Sequence, residues 1–177
     1  MNVWAVLGAA LIAAAPMAEP DGAPSVSYDR HADASGLRSY RWAHPLELEE
    51  EPLVHQRLVA AIDYHLRMHG LRETGTEADV WVTYHSDAGG EVVIDTERFG
   101  YTLGPGWYWG GGLGSRGRIH RYPAGTLVVD VWDASTGRLL WRGAAPGAVT
   151  TVPERPDTHI GPACAALFRS FPRPPDE

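Results

Sequence analysis

The stretch GTLVVDVWDASTGRLLWRGAA, residues 125–145, constrains the fold more than any other part of the chain. Leu127, Val129 and Val131 share one face of a strand before DASTG, and Leu139 and Trp141 share one face of a strand after it. Asp133 can close an Asx turn there, and Gly137 can adopt the positive φ that a tight connection needs. The pattern predicts a β-hairpin, so the domain must contain antiparallel strands.

Two helices and further strands are predicted around this hairpin. Over residues 52–69 apolar side chains recur every four positions, which is typical of a helix that buries one stripe, and Gly70 follows as a natural C-cap. A second helix is predicted over residues 158–171, and short strands over residues 26–29 and 39–43.

A second hairpin is predicted in the middle of the chain. ADVWVTYH, residues 78–85, and EVVIDTERF, residues 91–99, both have the pattern of strands, and DAGG between them has the residues of a turn. Together these elements predict an α+β fold, in which two α-helices pack on one face of an antiparallel or mixed β-sheet.

Composition bounds the class of protein. With 177 residues and 44% hydrophobic content, the chain has the size and the apolar material of a single domain. Its net charge of −7 creates no overall positive field that would attract nucleic acid. We expect one domain over residues 26–171, a disordered tail over residues 172–177, and no nucleic-acid partner.

The start of the sequence has the pattern of an export signal. Residues 1–18, MNVWAVLGAALIAAAPMA, carry no charged side chain and end in small residues that suit cleavage. They predict a signal peptide cleaved near Ala18, with residues 19–25 as a linker; a retained membrane anchor is the alternative. We therefore expect an exported, periplasmic protein, in which the lone Cys164 rules out an intramolecular disulfide.

Five segments resemble a known bacterial family in their order along the chain. They are VSYD, GLRSYRWA, PLVHQRLVAAIDYHLRMHGL, ADVWVTYH and the hairpin over residues 125–145, with a glycine-aromatic insertion before the hairpin. Over roughly residues 26–171 the sequence resembles the domain of unknown function 4136 (DUF4136) family of exported, lipoprotein-like envelope proteins. The resemblance implies an envelope location and no established activity. Since no cysteine follows the apolar leader to accept a lipid, we expect a soluble periplasmic form.

The insertion contains GPGWYWGGG, residues 104–112, where large apolar side chains lie on a backbone of high conformational freedom. Trp107, Tyr108 and Trp109 could stack on a sugar, contact a protein partner or lie at a bilayer interface. They could equally fold back and cover the sheet. Both alternatives remain open from the sequence.

A basic stretch, SRGRIHRY, follows the insertion directly. Arg116, Arg118 and Arg121 could bind the acidic groups of a glycan or lipid, because arginine presents a planar fork to carboxylate and phosphate. As solvated charges they could instead balance nearby acidic residues. With the three aromatic residues, they form the predicted contact surface for an envelope protein, glycan or lipid.

No arrangement of residues in the sequence indicates catalysis. His65 and His69 lie one helical turn apart and could share a metal ion, but a third ligand would have to come from elsewhere in the fold. Cys164 lies among alanines, where a small buried thiol packs well. We predict no metal, no cofactor and no enzymatic activity, and hence a binding or structural module. The alternatives are a small-ligand or lipid carrier with a pocket between helix and sheet, and a metal-dependent hydrolase.

Overall fold

A computed structural model of the chain describes residues 22–29, 36–43, 52–75, 77–95, 119–150 and 157–172. Within these ranges, the helices are α1 (Pro52–Met68) and α2 (Asp157–Phe168). The strands are β1 (Ser25–Tyr28), β2 (Ser39–Trp42), β3 (Arg72–Glu73), β4 (Val80–His85), β5 (Val92–Asp95), β6 (Ile119–Tyr122), β7 (Leu127–Asp133) and β8 (Leu139–Ala145).

Six of these strands form one mixed sheet in the order β1-β8-β7-β4-β2-β3. The pairs β1–β8, β8–β7 and β7–β4 are antiparallel, whereas β2 runs parallel to both β4 and β3. α1 supplies the crossover between β2 and β4, since parallel neighbours need a long connection. β5 and β6 pair antiparallel with each other as a separate two-stranded sheet, hereafter the ribbon. The predicted α+β class is confirmed, with the sheet of the mixed type.

The main core lies between the two helices and one face of the sheet. α1 turns Leu58, Ile62 and Leu66 into it, because residues four apart share one side of a helix. Trp141 of β8 packs against Phe168 of α2 with ring centroids 5.3 Å apart. Burial of one large apolar side chain stabilises by about 1.5–3 kcal/mol, so this layer fixes both helices on the same face of the sheet.

The predicted β7–β8 hairpin is confirmed. Asp133 Oδ1 accepts the backbone N–H groups of Ser135 at 2.9 Å and of Thr136 at 2.7 Å, which closes the expected Asx turn. Gly137 follows at φ 66°, in the left-handed region that glycine adopts without strain.

The predicted hairpin between residues 78–85 and 91–99 is wrong, although both segments contain strands. β4 pairs with β7 on one side and β2 on the other, and β5 pairs with β6. The turn itself is present, since Asp87 Oδ1 accepts the N–H groups of Gly89 and Gly90. After this turn the chain leaves the six-stranded sheet, because β2 and β7 already occupy both edges of β4. A strand that is buried on both faces lies inside a sheet and has a neighbour along each edge.

Several boundaries differ slightly from the predicted ones. α1 ends at Met68, and Gly70 at φ 85° follows it as the expected C-cap. α2 ends at Phe168, and β1 begins at Ser25, inside the predicted linker. The predicted signal peptide, the rest of the linker before residue 22 and the tail beyond residue 172 lie outside the described residues. Where the structure describes the chain, no helix combines the length and apolar character needed to cross a membrane.

Candidate functional site

The face of the sheet that points away from the helices has a charged centre. Asp130 of β7 and Arg142 of β8 are register partners, and both point to this face because Val129 and Val131 point into the main core. Arg142 Nε donates to Asp130 Oδ1 at 2.6 Å, and Nη2 donates to Oδ2 at 2.5 Å. The two side chains are 6% and 0% exposed. They form a two-point ion pair away from water, hereafter the buried ion pair.

The buried ion pair sets the charge state of Arg142 and lies beside Tyr122 and His85. Burial opposes the charge of Arg142, but the hydrogen bonds and charge of Asp130 outweigh burial and raise the pKa of the guanidinium. Tyr122 of β6 lies beside this guanidinium and adds to the rise of its pKa. His85 of β4 lies in the same field, and burial is the main cause that lowers its pKa below 6.5. His85 is therefore neutral at pH 7, and Arg142 stays charged.

The ribbon covers this charged centre. Val92 and Ile94 of β5 are buried against Val128 of β7 and Ala144 of β8, and Tyr122 packs beside them. Since alternate residues of a strand point to opposite faces, the other side of the ribbon presents Val93, Ile119 and Arg121 to solvent. These three residues are hereafter the ribbon surface.

The structure places one of the six predicted contact residues. Arg121 lies on the ribbon surface, where its Nη1 atom is 2.9 Å from Glu91 Oε2 in an exposed ion pair. Trp107, Tyr108, Trp109, Arg116 and Arg118 lie outside the described residues. The two ends of their segment are adjacent, however, because Asp95 and Ile119 are register partners at the end of the ribbon.

The predicted histidine pair is part of an aromatic cluster. His65 stacks on Phe168 with ring centroids 5.3 Å apart, and His69 meets Phe171 edge-on at the same distance. Nδ1 of His69 lies 2.9 Å from the carbonyl oxygen of His65. Among the described residues, no group of three or more His, Cys, Asp or Glu side chains is arranged to hold a metal ion.

Polar contacts that sequence reasoning missed join α1 to the sheet. Asp63 Oδ1 accepts hydrogen bonds from Tyr40 Oη at 2.7 Å and Trp42 Nε1 at 3.0 Å. His55 Nδ1 lies 2.7 Å from Tyr84 Oη, and the two rings stack. Burial, reinforced by Asp63, raises the pKa of Tyr40 above its ordinary value. The sequence signal that could have indicated these contacts was Asp63, an acidic residue next to the apolar stripe of α1.

An open groove of about 430 Å³ lies at the β1 edge of the sheet. It is lined by Ser27, Tyr28, Asp29, Arg138, Leu139 and Leu140. Arg138 and Asp29 form an ion pair across it. The interface between helices and sheet, where the carrier hypothesis places a pocket, contains the closely packed side chains of the main core.

Among the solved structures similar to the chain at low sequence identity are a PDZ domain protein and PelC. A PDZ domain protein from Parabacteroides distasonis ATCC 8503 has 11% identity and a TM-score of 0.47, over 85% of this chain and 36% of that protein. The chain thus spans about a third of that protein's length. Two PelC dodecamer structures from Paraburkholderia phytofirmans have 14% and 13% identity and TM-scores of 0.34 and 0.33. Each covers 69% of this chain, and the match spans 77% and 79% of the respective PelC chains.

No curated protein matches the sequence. A family model matches it over residues 24–173, which is nearly the whole chain, and its description is domain of unknown function. The resemblance noted in the sequence is thereby confirmed: the chain belongs to the DUF4136 family.

Proposed function

We propose that the chain is an exported, non-enzymatic binding or structural module of the bacterial cell envelope. The observation that carries the proposal is that three carboxylates in the described part of the chain serve as structural connections. Asp130 holds Arg142, Asp63 holds two aromatic side chains, and Asp133 closes a turn. A catalytic carboxylate has to be available to a substrate, whereas these three bind neighbouring parts of the fold.

Asp79 is a further structural connection, at the start of two strands. Its Oδ2 atom accepts the backbone N–H groups of Arg38 at 2.9 Å and Ser39 at 2.8 Å, and also the Ser39 hydroxyl at 2.7 Å. The Asp79 N–H donates back to that hydroxyl at 3.0 Å. These bonds hold the beginning of β2 beside the beginning of β4.

The contact surface in this proposal is the ribbon surface together with the segment that the ribbon carries. Val93 and Ile119 are 50% and 61% exposed. Exposed apolar surface of this kind gains free energy when a partner covers it. Trp107, Tyr108 and Trp109 add large apolar area to the same segment, and Arg116 and Arg118 add groups that suit acidic partners. An envelope protein, glycan or lipid is the expected partner.

Export is tested by the mass of the chain recovered from its host. We expect the periplasmic fraction to hold the protein without roughly its first 18 residues, as the small residues near Ala18 predict. An N-terminal fusion that masks the apolar leader should keep the protein in the cytosol. Recovery of the unfused chain from the cytosol at its full mass would contradict export.

The contact surface is tested by photo-cross-linking in intact cells. A photoreactive residue at Ile119 should capture a defined adduct, whereas one at Arg169, which is exposed just after α2, should not. Replacing Trp107, Trp109, Arg116 and Arg118 with alanine should abolish the Ile119 adduct and leave the circular dichroism spectrum unchanged. Equal amounts of adduct from the two positions would rule out the ribbon surface as the contact surface.

A second candidate function is that of a small-ligand carrier, and the groove at the β1 edge is the observation that favours it. Its volume of about 430 Å³ lies in the range of small-molecule sites, and Tyr28 offers an aromatic surface beside charged groups. Native mass spectrometry of protein from its own host should then show a retained ligand that Leu140→Arg removes. Protein that carries no added mass would rule out this function.

A further inference from the structure

The ribbon rests on the six-stranded sheet without being paired to it. Where the structure describes the chain, β5 and β6 exchange strand hydrogen bonds with each other and not with the larger sheet. The contact is apolar, since Val92, Ile94 and Tyr122 pack against Val128 and Ala144. Apolar contacts are non-directional, so the ribbon can move away from the sheet without breaking a ladder of hydrogen bonds.

The two connections that join the ribbon to the sheet meet at one point. The connection after β4 contains Gly89 and Gly90, whose N–H groups both donate to Asp87 Oδ1. The connection before β7 contains Gly125, at φ 77°. The N–H of Gly125 donates to the carbonyl oxygen of Asp87 at 2.7 Å, which holds the two connections side by side. Short glycine-containing connections that lie together have the arrangement of a hinge.

The ribbon closes over charged groups as well as apolar ones. Asp130 and Arg142, the buried ion pair, lie on the face of the sheet that the ribbon covers. Taking two charges out of water costs free energy, and hydration on opening returns part of that cost. This gain offsets part of the apolar contact that is lost when the ribbon leaves the sheet.

His85 lies between the hinge and the buried ion pair, at the end of β4. Its register partner is Val128, on which the ribbon packs. Burial is the main cause that lowers the pKa of His85, and the charge of Arg142 lowers it further, while Asp130 acts in the opposite direction. The imidazole is thus neutral beneath the closed ribbon and takes up a proton more readily once water reaches it.

Other titratable groups lie on the elements around His85. From β6 come Tyr122 and His120, which share one side of the strand and stack with ring centroids 6.4 Å apart. β5 turns apolar side chains to this side. Arg41 of β2 lies at the register of Trp81, toward the other end of β4. Histidine is the side chain that ordinarily titrates in mild acid, so His120 is the group to test against His85.

A proton on His85 adds positive charge that the closed site does not compensate. Among the described residues, Asp130 is the carboxylate that acts on the charge of His85. Both oxygens of Asp130 already accept hydrogen bonds from Arg142. Water solvates the additional charge better than the closed site does. The closed ribbon therefore opposes protonation of His85, and protonation favours the open ribbon by the same free energy.

We infer that the ribbon is a flap that opens from the six-stranded sheet in mildly acidic solution, with protonation of His85 as the trigger. Well above pH 6.5 the imidazole is neutral in both positions of the ribbon, so the open population does not depend on pH. Below pH 6.5 the open form takes up the proton first, and its population rises by up to about tenfold for each pH unit. The opening does not rest on the proposed contact surface, whereas its effect on partner binding does.

Thiol labelling tests the opening directly. In the full chain carrying Cys164→Ala, the Ala144→Cys variant has a thiol beneath the ribbon, and the Ala145→Cys variant has one beneath the helices. Both alanines are buried. Labelling by a dipyridyl disulfide is measured relative to the denatured chain at the same pH. Between about pH 6.5 and pH 5.5 we expect it to rise up to about tenfold for Ala144→Cys, and much less for Ala145→Cys. An equal rise in both variants, or none in Ala144→Cys, would overturn the flap.

Two histidine variants test the trigger in the Ala144→Cys chain. His85→Gln keeps a polar side chain that takes up no proton in this pH range, so labelling should no longer rise in acid. His120→Gln should retain the rise. Either a rise that survives His85→Gln or one that only His120→Gln removes would overturn the role of His85.

Hydrogen exchange of the wild-type chain tests the opening without any substitution. A lone two-stranded ribbon is marginally stable in water, so amides of β5 and β6 should lose protection below pH 6.5 once intrinsic exchange rates are corrected for. Amides of β7 and β8 should keep theirs. An equal loss in both regions would indicate global unfolding and overturn the flap. If the ribbon alone loses protection while Ile119 captures no adduct in cells, the flap stands and the proposed contact surface fails.

Discussion

The indole ring of Trp141 lies directly over Gly143, two residues further along β8. A β-carbon at Gly143 would lie 2.5 Å from Cη2 and 2.9 Å from Cζ2 of the ring, and 3.2 Å from Cδ2 of Leu167. The close packing of sheet and α2 at this point therefore depends on the absence of a side chain.

Gly143→Ala should consequently destabilise the fold. The tryptophan ring is buried and in contact with Phe168 and Phe171, so it has little room to move away. We expect a loss of about 1–3 kcal/mol in the free energy of unfolding, measured by urea denaturation. Gly161→Ala in α2 is the control, because a β-carbon there meets nothing within 4 Å. Equal stability of the two variants would show that the close contact contributes nothing to the free energy of unfolding.

The buried ion pair should be sensitive to the loss of one partner. Asp130→Ala leaves the charge of Arg142 in a site away from water, at a cost of about 3–5 kcal/mol in unfolding free energy. Changing both residues, as Asp130→Leu with Arg142→Met, removes both charges and should recover most of that loss. Thermal denaturation of the two variants makes the comparison. A single variant as stable as the wild-type chain would show that water reaches Arg142.

Stability should decrease in mildly acidic solution because of His65. Burial and the neighbouring His69 lower the pKa of His65 below 6.5, so the unfolded chain takes up this proton before the folded chain does. The unfolding free energy is unaffected above pH 6.5 and decreases as the pH falls below it. His65→Gln should make this decrease smaller, as measured by urea midpoints at several pH values. A pH profile identical to that of the wild-type chain would contradict the assignment.

Cys164 should be inert while the chain is folded. Burial raises the pKa of its thiol to about 12, so the reactive thiolate is scarce at neutral pH and reagents have little access. A thiol-specific chromogenic reagent should label the chain only in denaturant. Rapid labelling of the native chain would show that α2 opens readily from the sheet.

Elements whose signals are local could be predicted from the sequence. The β7–β8 hairpin depends on Asp133 and Gly137 within its own turn, and α1 depends on a stripe within its own length. The pairing of β4 could not be predicted in this way. Its partners β2 and β7 lie far away in sequence, and a strand buried on both faces lacks the alternation that would indicate its neighbours.

The contacts on the face of the sheet that points away from the helices also could not be predicted from the sequence. Asp130 lies between Val129 and Val131, so strand alternation places it on the face away from the helices. Its burial results from the ribbon, whose Val92, Ile94 and Tyr122 come from segments on either side of the insertion. Only the folded register brings Asp130, Arg142 and Tyr122 together.

In the part of the chain that the structure describes, the ribbon exchanges strand hydrogen bonds only with itself. We therefore expect residues added or removed between Asp95 and Ile119 to leave the described register of the six-stranded sheet unchanged. Such tolerance would make the segment a practical place for grafting an epitope tag or a foreign binding loop.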